Sequence, residues 1–279
     1  MHRSAVTNHP GRDYNPAWSP DGRFIAFLRR LENDKHSVIV IPALGGPERK
    51  LAEISLTGSE LVTHFLNWSP DSKHLIIVDR RVREEPTGLF VLSVETGEKR
   101  SLISPPAKSI GDSVPTFSPD GRTLAFLRSP SHTVHDLYLL AISEDLRPQG
   151  EPRRLTFDNG WIVGAAWIPD GHEIVFSSNR LNTPRLWRIM TSGLAQPQPL
   201  AFVGDDAFAP AISRQGHRLA YAHARGNREI WQVRVPDSGD KASSPSKFIP
   251  SLFDHFSPQY SPDGKKVAFT SRRSGSCEI

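Results

Sequence analysis

Cysteine is almost missing from this chain. Cys277 stands alone, so no internal disulfide can staple the fold and the redox compartment is left open. Long apolar runs are missing too. None approaches the roughly 18 residues of a membrane helix, and Met1–Asn8 has no apolar stretch of the kind a signal peptide needs. The expectation is a soluble chain without membrane insertion, cytoplasmic as written and periplasmic if it is a fragment. Sustained helical periodicity is absent, which points to an all-β class. No Gly-x-Ser-x-Gly pentapeptide occurs, so the nucleophile elbow of a hydrolase is lacking, and 279 residues leave no room for a separate hydrolase domain beside the repeats described below. Charge is nearly balanced, 34 basic against 30 acidic residues. The basic doublets Arg29-Arg30, Arg80-Arg81, Lys99-Arg100, Arg153-Arg154 and Arg272-Arg273 read as solvated strand ends. Without a basic helix or a stripe of stacking aromatics, no nucleic acid is expected to bind.

What the chain has is one turn, six times. It reads Ser19-Pro20-Asp21-Gly22, Ser69-Pro70-Asp71-Ser72, Ser118-Pro119-Asp120-Gly121, Ile168-Pro169-Asp170-Gly171, Ser213-Arg214-Gln215-Gly216 and Ser261-Pro262-Asp263-Gly264. The third positions lie 50, 49, 50, 45 and 48 residues apart. A period of about 40–50 residues built from short strands signals a propeller, one blade per repeat. Each turn suits its residues. Proline presets φ, aspartate bonds nearby backbone, and glycine accepts the left-handed conformation. A short strand ending in Trp18, Trp68, Phe117, Trp167, Ile212 or Tyr260 precedes each turn, and an apolar strand follows it. A third strand and a more polar fourth complete the repeat.

The expected fold is a six-bladed β-propeller of four-stranded antiparallel blades, a single domain over residues 1–279, with the last blade incomplete. Arg3-Ser4-Ala5-Val6-Thr7 matches the fourth-strand pattern Arg153-Arg154-Leu155-Thr156, so an N-terminal strand is expected to pair with the last blade and close the ring.

Candidate site residues flank the innermost strands. Asp13, His64, Asp112, Trp161, Asp206, Asp254 and His255 lie four to six residues before the strand-ending aromatics and would gather at one mouth of a central channel. Carboxylates and histidines there could take a cation or a basic peptide end; equally, aspartate before a strand is a common turn residue. Within His132-Thr133-Val134-His135-Asp136, a His-x-x-His pair in one loop could hold a metal, but with no third ligand visible nearby the two histidines read as solvated. The repeated aromatics read as packing between blades. No catalytic residue, metal or cofactor is expected.

Asp13-Tyr14-Asn15-Pro16-Ala17-Trp18-Ser19-Pro20-Asp21-Gly22-Arg23-Phe24-Ile25-Ala26-Phe27 resembles the WD40-like Pro-Asp (PD40-type) repeat of TolB-like β-propellers, and Ser257–Gly275 is nearly as close. Glu229-Ile230-Trp231 resembles the family's third-strand motif, and Ser276-Cys277-Glu278-Ile279 resembles its start. Repeat five departs from the pattern with Arg214-Gln215 in place of Pro-Asp, and repeat two carries Ser72 for glycine. The resemblance implies a bacterial propeller that binds a protein or peptide, as a monomer and without chemistry of its own. It equally implies two other settings: a sensor propeller of a winged-helix regulator or kinase, and the non-catalytic propeller of a prolyl-oligopeptidase-type serine peptidase. Fold alone does not choose among them.

Overall fold

A computed structural model describes residues 5–56, 64–157, 160–193, 196–214, 218–225, 227–235, 243–249 and 253–279. Every regular element among them is a strand. The first blade comprises β1 (Asp13–Trp18), β2 (Phe24–Arg30), β3 (Lys35–Pro42) and β4 (Arg49–Ser55). The second holds β5 (Leu66–Trp68), β6 (His74–Asp79), β7 (Gly88–Ser93) and β8 (Lys99–Ile103), and the third β9 (Gly111–Phe117), β10 (Thr123–Ser131), β11 (Val134–Ala141) and β12 (Arg153–Arg154). The fourth is β13 (Ile162–Trp167), β14 (Glu173–Ser178), β15 (Arg185–Met190) and β16 (Gln198–Pro199). The fifth is β17 (Ala207–Ile212), β18 (Arg218–Arg225), β19 (Asn227–Arg234) and β20 (Ser246–Ile249). In each, consecutive strands pair antiparallel.

The sixth repeat corrects the expectation. It forms a two-stranded sheet, β21 (His255–Tyr260) with β22 (Val267–Ser271), so the propeller has five four-stranded blades, not six. Beyond β22 only one isolated bridge extends this sheet, Ser271 with Glu278. Nor do residues 5–12 form the expected strand; residues 3 and 4 lie outside the described residues. The chain ends are instead tied by single bonds. Val6 N–H donates to Ile279 O at 2.7 Å, Ile279 N–H to Thr7 Oγ1 at 3.1 Å, and Asp13 N–H to Cys277 O at 2.9 Å. The first strands pack in sequence order, β1 on β5, β5 on β9, β9 on β13, β13 on β17 and β17 on β21, and β21 packs back on β1.

The Pro-Asp turns are closed hydrogen-bond units. In the first, Ser19 Oγ donates to Asp21 Oδ1 at 2.6 Å and accepts from Phe24 N–H at 2.9 Å. Asp21 Oδ1 also accepts Arg23 N–H at 3.0 Å, and Gly22 N–H donates to Ser19 O at 2.9 Å. Gly22 sits at φ 73°, the left-handed region where a Cβ is penalised. Turns three and six repeat these bonds through Ser118–Asp120 and Ser261–Asp263. Those bonds hold the Asp120 and Asp263 carboxyls below the usual carboxylate range. The fifth turn falls partly outside the described residues.

Five first strands carry a bulge at the same place. Asn15, Val114, Gly164, Ala209 and Ser257, three residues before the strand-ending position, all have positive φ, and the ladder register shifts beside each. A bulge adds one residue and re-aims the side chains after it. Proline follows in four of the five, at positions 16, 115, 210 and 258, where its missing N–H leaves no unpaired donor on the innermost edge.

An axial funnel as the candidate functional site

The ends of the first strands converge on the propeller axis. There they enclose a cavity of about 150 Å³ that opens on the side of the Pro-Asp turns. Trp18, Trp68, Phe117 and Trp167 form its wall, and the turn residues Pro20, Pro119, Pro169 and Pro262 form its rim. Two of the tryptophans are held by the neighbouring blade. Trp68 Nε1–H donates to Ala17 O at 2.9 Å, and Trp167 Nε1–H to Thr116 O at 3.1 Å. These rings therefore pack between blades, as their recurrence suggested, and also shape the funnel.

The polar floor comes from residues just before the aromatics: Asn67, Thr116 and Gln259. His64 joins them. The Gln259 amide N–H donates to His64 Nε2 at 3.3 Å, linking the sixth repeat to the second across the axis. Strand β5 carries no bulge, and His64 alone of the seven candidates lines the funnel. Burial pulls the His64 pKa down to about 4, so at neutral pH its ring is uncharged and accepts the Gln259 bond.

A pH prediction follows from this burial. Unfolded His64 takes up a proton near 6.5 and folded His64 only near 4. Between these values the unfolded state binds more protons, so stability falls as pH drops from 6.5 towards 4, by about 1.4 kcal/mol per unit for this one group. His64→Gln is expected to flatten the slope of unfolding free energy against pH by that amount in this window. Urea unfolding at several pH values measures it; an unchanged slope would refute the buried neutral histidine.

The other six candidates lie away from the funnel. Asp13 and Asp112 are fully buried in two-pronged ion pairs with Arg29 (2.7 and 2.8 Å) and Arg128 (2.8 and 2.9 Å), each the residue directly opposite on the second strand. Burial lifts both carboxyls above the usual range, more than the arginine bonds lower them. Asp254 accepts Arg228 N–H at 2.9 Å and faces the Arg272 guanidinium at 3.6 Å, joining blade five to the sixth sheet. Trp161 packs on an apolar cluster of Val163, Phe208 and Phe256, residues near the opposite ends of their strands. His255 is buried edge-on to Phe269, with ring centroids 5.2 Å apart. Asp206 is half-buried ahead of β17, at φ 57°. His135 and Asp136, expected in a loop, lie at the start of β11, where His135 Nδ1 bonds Ile162 O at 2.7 Å and Asp136 is buried and pairs with Arg154 at 2.7 Å. Among the described residues no three His, Cys, Asp or Glu gather as a metal site would require.

Sequence reasoning missed Asn67, Thr116, Gln259 and Arg214. The first three share one signal, a position immediately before the strand-ending aromatic. Arg214 carries another: it stands where the other repeats have proline.

Comparison with known proteins places these features in context. A model of the TolB beta propeller domain (PD40) matches residues 54–248. The uncharacterized peptidase YuxL of Bacillus subtilis is 28% identical over 173 residues, spanning 48% of this chain and 25% of that protein. The Tol-Pal system protein TolB of Nitratidesulfovibrio vulgaris is 25% identical over 264 residues, 90% of this chain and 56% of TolB. The chain thus spans about a quarter and about half of these relatives' lengths. The structure of a putative TolB from Agrobacterium tumefaciens superposes with a TM-score of 0.70 at 18% identity, covering 95% of this chain and 92% of that one, a likeness of fold.

Proposed function

Since the chain belongs to the TolB beta propeller domain family, we propose that it is a non-catalytic recognition module whose axial funnel and turn-side loops engage a protein or peptide. The observation that carries this reading is the funnel itself. It is a concave pocket in which aromatic rings and convergent polar groups share the lining, built on strands rather than on long loops. Its lining offers hydrogen bonds and apolar contact. Its one histidine is uncharged at neutral pH and engaged with Gln259. The match to a peptidase supports a second reading, in which the same module serves as the propeller portion of a longer hydrolytic protein.

A peptide library displayed on phage and selected on the purified chain tests the proposal. Enriched peptides are expected, and mass spectrometry after long incubation should recover them intact. Cleaved peptides, or no enrichment over rounds of selection, would refute it.

A further inference from the structure

The fifth repeat breaks the proline rim. Where four turns present Pro20, Pro119, Pro169 and Pro262 to the funnel, the fifth presents Arg214. Arg214 is solvent-exposed, and it has no ion-pair or hydrogen-bond partner among the described residues. Partial desolvation by the surrounding protein lowers its pKa, and no carboxylate offsets this. Three other arginines on the blades are paired with carboxylates: Arg29 with Asp13 and Glu48, Arg128 with Asp112, Arg154 with Asp136. Among the described residues Arg214 is also the sole fixed charge on the funnel lining.

We propose that the funnel captures the C-terminal residue of a peptide, with its carboxylate on Arg214 and its side chain among Trp18, Trp68 and Trp167. This deepens the recognition reading above and rests on it. Three observations converge on a chain end. A segment passing along the axis would meet the Gln259–His64 bond, and the apolar cluster of Val163, Phe208 and Phe256 packs near the opposite strand ends. Its volume matches about one benzene-sized group, too little for a segment that enters and turns back. The charge at the rim selects which end: a guanidinium attracts a carboxylate through paired N–H donors and repels an ammonium. The peptide behind the terminus has a way out. A cleft of about 790 Å³ between blades three and four shares Pro119, Trp167 and Pro169 with the funnel.

The test uses the whole chain and N-acetylated tripeptides ending in Phe, Leu or Ala. Each is prepared as the free acid and as the amide, with one amidated peptide carrying an internal Asp. Binding is followed by tryptophan fluorescence and calorimetry. The free acids, led by Phe, are expected to bind at least tenfold more tightly than their amides. Arg214→Pro, which restores the proline of the other turns, should abolish that preference, with a thermal midpoint matching the wild type. Arg214→Gln is the second variant should the proline perturb folding. Equal binding of acid and amide, a preference that survives both variants, or equal binding of the internal-Asp amide would each overturn the carboxyl-terminus assignment while leaving a funnel that binds peptides. Absence of binding by every peptide would overturn this inference; the recognition reading itself is decided separately, by the phage selection.

Discussion

Asp112→Ala is expected to cost about 3 kcal/mol of unfolding free energy, at the lower end of what breaking a buried ion pair costs. The change removes a carboxylate with no solvent exposure and leaves the Arg128 guanidinium without its two bonds at 2.8 and 2.9 Å. The loss stays at the lower end because Arg128 also lies over the rings of Phe126 and Tyr138, 5.4 and 5.2 Å from their centroids, and keeps those contacts. Replacing both partners with apolar residues, Asp112→Leu with Arg128→Met, should recover most of the stability, since desolvating the pair offsets much of its attraction. Urea unfolding of the single and double variants measures this. A single-variant loss below about 1 kcal/mol, the range of an exposed pair, would contradict the buried cross-strand bridge.

Trp68→Ala should cost roughly 3–5 kcal/mol. The ring is only 2% exposed, packs where the first and second blades meet, and donates its indole N–H to Ala17 O. Trp68→Phe isolates that bond. It keeps most of the apolar volume but leaves Ala17 O without its donor, an expected loss of about 1–3 kcal/mol. Both variants should also widen the funnel wall. Chemical denaturation gives the ranking, and a loss from Trp68→Phe as large as that from Trp68→Ala would show that volume is not what holds the blades together.

The blades were legible in the sequence because each turn residue performs a separate local task. Ser19, Asp21 and Gly22 bond one another and the start of the next strand, so those residue types recur wherever the turn recurs. The Asp–Arg bridge left a signal that the sequence reading does not use: the 16-residue spacing of Asp13 and Arg29 returns in Asp112 and Arg128, yet both aspartates are assigned there to the channel mouth and Arg29 to a solvated strand end. Read as spacing, it identifies two of the seven candidates as structural. The funnel was hidden by the bulges. Asn15, Val114, Gly164, Ala209 and Ser257 share a left-handed backbone but no residue type, so simple alternation along the strand cannot locate the extra residue. Counting without it aims the wrong side chains at the axis and passes over Thr116 and Gln259. The sixth blade misled for a different reason: the sequence pattern predicts an incomplete blade joined by an N-terminal strand, but only β21 and β22 pair in that sheet.

Filling the funnel tests the central claim most directly. Ala166 lines it on β13, and Ala166→Phe would place a ring in a space about the size of that ring. A peptide selected on the wild-type chain, titrated calorimetrically against this variant, is predicted to lose at least tenfold in affinity while the thermal midpoint stays close to wild type. Arg12→Ala, an exposed change beside the opposite strand ends, should leave binding untouched. Full affinity in the folded Ala166→Phe protein would mean that recognition happens elsewhere on the propeller.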